Sequence, residues 1–198
     1  SGTGKENLNL TLSLDELSDF DTLLPLAKQG WRGIFVEPVK YLLDNIERLE
    51  NCEYVNAAIT AKDGETTINY VEDPREEWLK GIGYTGEHKQ WSNYFWENDF
   101  NVKSDSVESM RLDTLIERYN IKEIDLLKID VEGLELDIIE DYSWSIKPRI
   151  LKIECVHWEV KNDDNKDINV GMTKDIINKF QDMGYIIYKD SNDLYGFI

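Results

Sequence analysis

From Gly33 onward, short apolar runs alternate with segments of helical period, and this alternation constrains the fold more than any other feature of the chain. An apolar run of roughly four to eight residues bounded by turn residues reads as a buried strand, and helices between successive strands bring those strands parallel. Strands are expected at residues 33–37, 54–59, 124–130 and 150–156, with helices at about 39–49, 112–119 and 132–139. A further helix near 173–183 leads into residues 185–188, the turn residues 190–193 and the run 194–198, which together read as a terminal hairpin. The pattern predicts an α/β fold: a doubly wound, mostly parallel sheet ending in an antiparallel β-hairpin. A nicotinamide-binding domain does not usually finish that way. The 198 residues fit a single domain covering 1–198, with no second core needed.

Three stretches break the alternation. Residues 72–103 are polar and glycine-containing, yet they carry Trp78, Tyr84, Trp91, Tyr94, Phe95, Trp96 and Phe100. A long irregular segment of that kind is usually a lid or a binding loop. Its aromatics form either a satellite core or an acceptor-binding wall, in which Trp78 and Trp91 are the candidate contacts. Residues 161–167 read as a solvated loop. At the amino end, Leu8, Leu10, Leu12 and Leu14 alternate with polar residues as in a half-buried strand. Before them, Gly2 and Gly4 read either as the tail of a glycine-rich nucleotide loop or as an expression-tag remnant.

Two strand ends carry acids. In Trp31-Arg32-Gly33-Ile34-Phe35-Val36-Glu37-Pro38, Glu37 stands at the carboxyl end of a buried strand, where doubly wound folds hold a nucleotide ribose. Its plain alternative is helix capping, since Pro38 suits a first helical position. In Glu123-Ile124-Asp125-Leu126-Leu127-Lys128-Ile129-Asp130-Val131-Glu132-Gly133-Leu134-Glu135, a strand ends in Asp130, and Glu132 and Gly133 are expected to open a helix. Asp130 would then point toward the reacting groups, while Glu135 is explained by the helix dipole. A third segment, Lys152-Ile153-Glu154-Cys155-Val156-His157-Trp158, brings Glu154 and His157 to the neighbouring strand end. A histidine there is either a packed residue or a general base. His88 reads as surface.

Charge narrows the partners. Forty acidic residues against 22 basic give a net charge of −18, a field that repels a phosphate backbone, and no basic run longer than two residues offsets it. Nucleic acid is therefore not expected as a partner, and neutral or cationic small molecules are. No apolar run is long enough for a membrane span. Cys52 and Cys155 lack metal or redox spacing and read as free thiols, which with the lack of a signal-peptide pattern points to a cytoplasmic location. Oligomeric state is not legible.

The stretch Gly33–Pro38, the Asn56-Ala57-Ala58-Ile59 strand followed by Lys62-Asp63-Gly64, the Leu112-Asp113-Thr114-Leu115 helix start and the Asp130-Val131-Glu132-Gly133 segment occur in the order and approximate spacing of FkbM-type methyltransferases. From Gly33 to about His157 the chain resembles that family, whose fold is the Rossmann-like class I methyltransferase fold. The resemblance implies S-adenosyl-L-methionine as cofactor, with Glu37 and the adjoining Pro38 at the ribose and Ala57 and Ala58 bordering the adenine. It also implies that Asp130 faces the reaction centre and that Asp130, Glu132 and Gly133 contact the cofactor. The chain departs from the family at its start, where only Gly2 and Gly4 remain of the expected glycine-rich loop.

The function expected from these readings is methyl transfer to oxygen on a small-molecule or sugar/glycan hydroxyl, with Asp130, Glu154 and His157 as the catalytic candidates. His157 acting as a metal-free base is favoured over a divalent ion held by those three side chains. The rivals are an NAD-dependent oxidoreductase or epimerase, whose ribose Glu37 would serve equally well, and a catalytically silent nucleotide-binding module.

Overall fold

The computed structural model describes residues 23–71, 82–85, 99–155, 169–190 and 193–198. Helix α1 (Leu23–Lys28) precedes strand β1 (Gly33–Val36), helix α2 (Lys40–Asn45) and strand β2 (Cys52–Val55). Strands β3 (Ala58–Ile59), β4 (Gly64–Val71), β5 (Gly83–Thr85) and β6 (Val102–Met110) follow. Helix α3 (Leu112–Arg118), strand β7 (Leu126–Ile129), helix α4 (Glu135–Asp141) and strand β8 (Ile150–Glu154) come next. The chain ends with helix α5 (Asn169–Asp182) and strands β9 (Ile186–Asp190) and β10 (Asp193–Phe197).

Among the described residues the expected parallel pairs and the terminal hairpin are present, but they do not pair into one doubly wound sheet. Among the described residues β1 pairs with β2 in parallel as a two-stranded unit. A second sheet runs β7-β8-β10-β9, with β7 and β8 parallel and the β9/β10 hairpin antiparallel. A third sheet, β3-β6-β4-β5, is mostly antiparallel. The architecture is therefore mixed α/β. The long ribbon of β4 and β6 was not expected from apolar patterning, because over most of its length only one face is buried, the other being buried only at its two ends, by Val71 and Met110. Ile68, Tyr70 and Val107 point inward, while Ser104 Oγ donates to Asn69 Oδ1 at 2.6 Å on the other face. The region expected to be irregular thus holds β5 and the start of β6. The expected strand at 54–59 is likewise divided between β2 and β3, which belong to different sheets.

The main core lies under one face of the second sheet. Ile129, Leu151, Ile153 and Leu194 meet Leu115 and Ile116 of α3, Ile138 and Ile139 of α4, and Ile176 and Phe180 of α5. Val55 and Ala57 join the same cluster, which brings the carboxyl ends of the two parallel pairs around one core. Each such side chain stabilises the fold by about 1.5–3 kcal/mol when fully buried. A smaller cluster of Val39, Ala58, Ile68, Tyr70 and Val107 seats the third sheet on the start of α2. No helix among the described residues is long and apolar enough to cross a membrane.

Candidate active site

Strand β1 delivers Glu37 directly after Val36, at the end of a parallel pair. The carboxylate Oε1 accepts a hydrogen bond from the Val39 amide at 2.7 Å. The loop itself is strapped from β2: Asn56 Nδ2 donates to the carbonyl oxygens of Glu37 at 2.9 Å and Pro38 at 2.8 Å. Ala57 and Ala58, which follow, are buried. The backbone therefore fixes where Glu37 points, and the expected α2 shrinks to Lys40–Asn45 behind it. Burial pushes the Glu37 carboxyl up to about 7; the Val39 hydrogen bond pulls against this, and the negative charge of Asp130 adds to it.

The second acid-bearing loop is built differently. Asp130 follows β7, and Lys128, two residues earlier on the same face of the strand, holds Asp130 Oδ2 at 2.9 Å. Glu132 and Gly133 do not open the helix as expected; both have positive φ, 56° and 108°. A left-handed glutamate costs about 1–2 kcal/mol, so something must hold the turn. The holder is Glu135, only 1% exposed, whose Oε1 accepts the Val131 N–H at 3.0 Å and whose Oε2 accepts the Gly133 N–H at 3.1 Å. Capturing these amides keeps the chain in a turn until α4 begins at Glu135.

The register across the second sheet grades the face opposite the core. Leu126, Ile150, Phe197 and Ile186 form one transverse row, and Lys128, Lys152, Tyr195 and Tyr188 the next. Glu154, Asp193 and Asp190 form the third, at the strand end beside Asp130. Lys152 Nζ reaches Asp193 Oδ2 at 3.3 Å, just as Lys128 reaches Asp130. Lysines thus stand directly behind the acids. One carboxylate oxygen from each of Asp130, Glu132 and Glu154 lies within 4.8 Å of the others, and the Oε2 atoms of Glu132 and Glu154 are shut off from solvent.

Of the residues expected from sequence, Glu37, Pro38, Ala57 and Ala58 lie on the β1 and β2 ends, while Asp130, Glu132, Gly133 and Glu154 gather at the β7 and β8 ends. The charge of Asp130 acts on Glu37. Gly2, Gly4, Trp78, Trp91 and His157 lie outside the described residues. Sequence reasoning passed over Lys128, although its two-residue spacing from Asp130 on a strand places both on one face. It also read Glu135 as a dipole partner when the carboxylate in fact closes the turn. Nothing local marks Asn56 as a strap, because its acceptors lie 18 and 19 residues away. The sequence model of the Methyltransferase FkbM domain matches residues 14–187. No curated protein and no solved structure matches the chain.

Proposed function

Because the chain belongs to the FkbM methyltransferase family, we propose that it is an S-adenosyl-L-methionine-dependent methyltransferase acting on a hydroxyl oxygen of a small-molecule or sugar/glycan acceptor. The observation that carries this reading is the pair of acid-bearing strand ends: Glu37, held by the Val39 amide after β1, and Asp130, gathered with Glu132 and Glu154 after β7 and β8. A half-buried carboxylate at the end of a parallel strand fits a ribose, whose hydroxyls donate to it. The two small buried residues after β2, Ala57 and Ala58, fit the flank of an adenine.

When bound, the cofactor supplies an activated methyl group, and the chain's task is alignment and proton removal. Glu37 holds the ribose. Asp130 and Glu132 present carboxylates on a turn that Glu135 closes and Lys128 steadies from behind. The acceptor proton would pass to a base as the hydroxyl oxygen takes the methyl group and the electron pair of the broken S–C bond stays on sulfur; His157 is the proposed base, with Glu154 orienting it. The net charge of −18 supports a neutral or cationic acceptor rather than a nucleic acid, and the free thiols of Cys52 and Cys155 support a cytoplasmic enzyme.

A second reading rests on the convergence of Asp130, Glu132 and Glu154, whose oxygens lie within 4.8 Å of one another. A hard divalent ion takes oxygen ligands and would acidify the acceptor hydroxyl. Among the described residues Glu132 joins Asp130 and Glu154 in this set, for which the sequence reading had named His157 as the third ligand. Methyl transfer from labelled S-adenosylmethionine to sugars, glycans and small hydroxyl metabolites tests the main reading; no transfer to any hydroxyl acceptor would overturn it. Repeating the assay after exhaustive chelation separates the two mechanisms: full activity removes the metal, and loss restored by Mg²⁺ or Mn²⁺ removes the metal-free base. With His157→Ala, the metal-free mechanism expects turnover about 10²–10⁴-fold lower at little cost in cofactor affinity.

A further inference from the structure

Gly83 is not a glycine for conformational reasons: it lies in strand β5 and is not among the residues with positive φ. Space is the constraint. A Cβ at this position would stand 2.9 Å from Val39 Cγ2 and 3.5 Å from both Cδ1 and Cγ1 of Ile68. Contacts below about 3 Å require one partner to move, and Val39 is poorly placed to do so. It is 1% exposed, packed among Ala58, Ile68, Tyr70 and Val107, and its branched side chain has little rotamer freedom. Its carbonyl accepts the amides of Leu42 at 3.0 Å and Leu43 at 3.1 Å, tying it to the head of α2. A push on the side chain is therefore passed to the backbone, where the Val39 N–H holds Glu37 Oε1 at 2.7 Å.

We propose that Gly83 is a positioning residue for the cofactor carboxylate: by seating the β5 backbone directly on Val39, it fixes the amide that aims Glu37. The proposal rests on the reading of Glu37 as the ribose ligand, and it extends that site to the third sheet. Strand β5 pairs with β4 through Tyr70↔Gly83 and Ile68↔Thr85, so the contact is braced from behind by the same ribbon that packs on α2. In sequence β5 lies between Trp78 and Trp91, the candidate acceptor contacts.

The test is a cycle of Gly83→Ala, Val39→Ala and the double variant, titrated with S-adenosylhomocysteine in a calorimeter, with the ¹H–¹⁵N signal of the residue-39 amide recorded without ligand. Gly83→Ala is expected to weaken binding about tenfold or more, the order of one charge-assisted hydrogen bond, and to move the residue-39 signal. Adding Val39→Ala removes the clashing methyl and should return both quantities to those of Val39→Ala alone. Wild-type affinity in Gly83→Ala overturns the proposal, as does a loss that the second substitution leaves uncorrected. Should Gly83→Ala fail to fold, the double variant is compared with Val39→Ala: equal affinity upholds the contact, and lower affinity or failure to fold overturns it. If the wild type itself does not bind S-adenosylhomocysteine, the cofactor reading of Glu37 fails separately. The amide signal then decides the positioning role, upheld if Gly83→Ala moves it and the double variant restores it, and overturned if it stays put.

Discussion

The loop after β1 and the loop after β7 both end a parallel strand in an acid, yet they use their carboxylates in opposite ways. At Glu37 the backbone does the holding: the Val39 amide and the Asn56 strap fix one acid, which burial raises to about 7. At Asp130 a carboxylate does the holding: Glu135 is buried to close the turn so that Asp130 and Glu132 can be presented from a strained backbone. An acid near a strand end is thus not functional by position alone. Its partners divide presented carboxylates from those consumed by architecture.

The sharpest way to break this comparison is Glu135→Ala. It leaves the Val131 and Gly133 amides without their buried acceptor, and the expected loss is about 3 kcal/mol of stability in urea unfolding. A loss within about 0.5 kcal/mol would mean that the turn holds itself, and the contrast between the loops would collapse.

Glu37 carries a pH signature with a definite sign. Its folded pKa of about 7 lies above the ordinary value of 4.5, so between these values the folded state binds more protons than the unfolded state. Stability contributed by the protonated form is fully present below the unfolded pKa and is lost as pH rises through the folded one. Glu37→Gln keeps the neutral form at every pH, and above about pH 8 it should be more stable than wild type by about 1–3 kcal/mol, the gap closing toward the acid end of the window. Parallel stability–pH curves for the two proteins would show that burial does not shift Glu37. The same variant should bind S-adenosylhomocysteine poorly, exchanging function for stability.

A smaller effect is expected at Gly133, whose φ of 108° suits glycine. Gly133→Ala should cost about 1 kcal/mol in the same unfolding experiment. No cost would place the strain of this turn at Glu132 alone.

What could be read from sequence follows from how local the causes are. The β1, β7 and β8 strands announce themselves as short apolar runs, interrupted only by Lys128 and Lys152 on the face opposite the core, and Glu37, Asp130 and Glu154 could be placed simply by counting to their ends. The hairpin was legible from the turn residues around 190–193. The β4/β6 ribbon was not, because Val102-Lys103-Ser104-Asp105-Ser106-Val107-Glu108-Ser109-Met110 carries few apolar residues and its pairing with Gly64–Val71 is a long-range match of register. The start of α4 was misplaced for a related reason. Propensity favours a helix from Glu132, and only the tertiary burial of Glu135 reveals that its carboxylate captures the amides that would have begun one. Gly83 offers no sequence signal either, since what excludes a side chain there is Val39, 44 residues earlier.

The central claim, that Glu37 is the ribose ligand of an S-adenosylmethionine site, is tested most directly by calorimetric titration of wild type and Glu37→Ala with S-adenosylhomocysteine, with NAD titrated alongside. The account predicts that wild type binds S-adenosylhomocysteine and not NAD, and that Glu37→Ala weakens that binding by about 1–3 kcal/mol through loss of charge-assisted hydrogen bonds to the ribose. Unchanged affinity in Glu37→Ala would reduce Glu37 to a cap on the Val39 amide, and binding of NAD in place of S-adenosylhomocysteine would contradict the account outright.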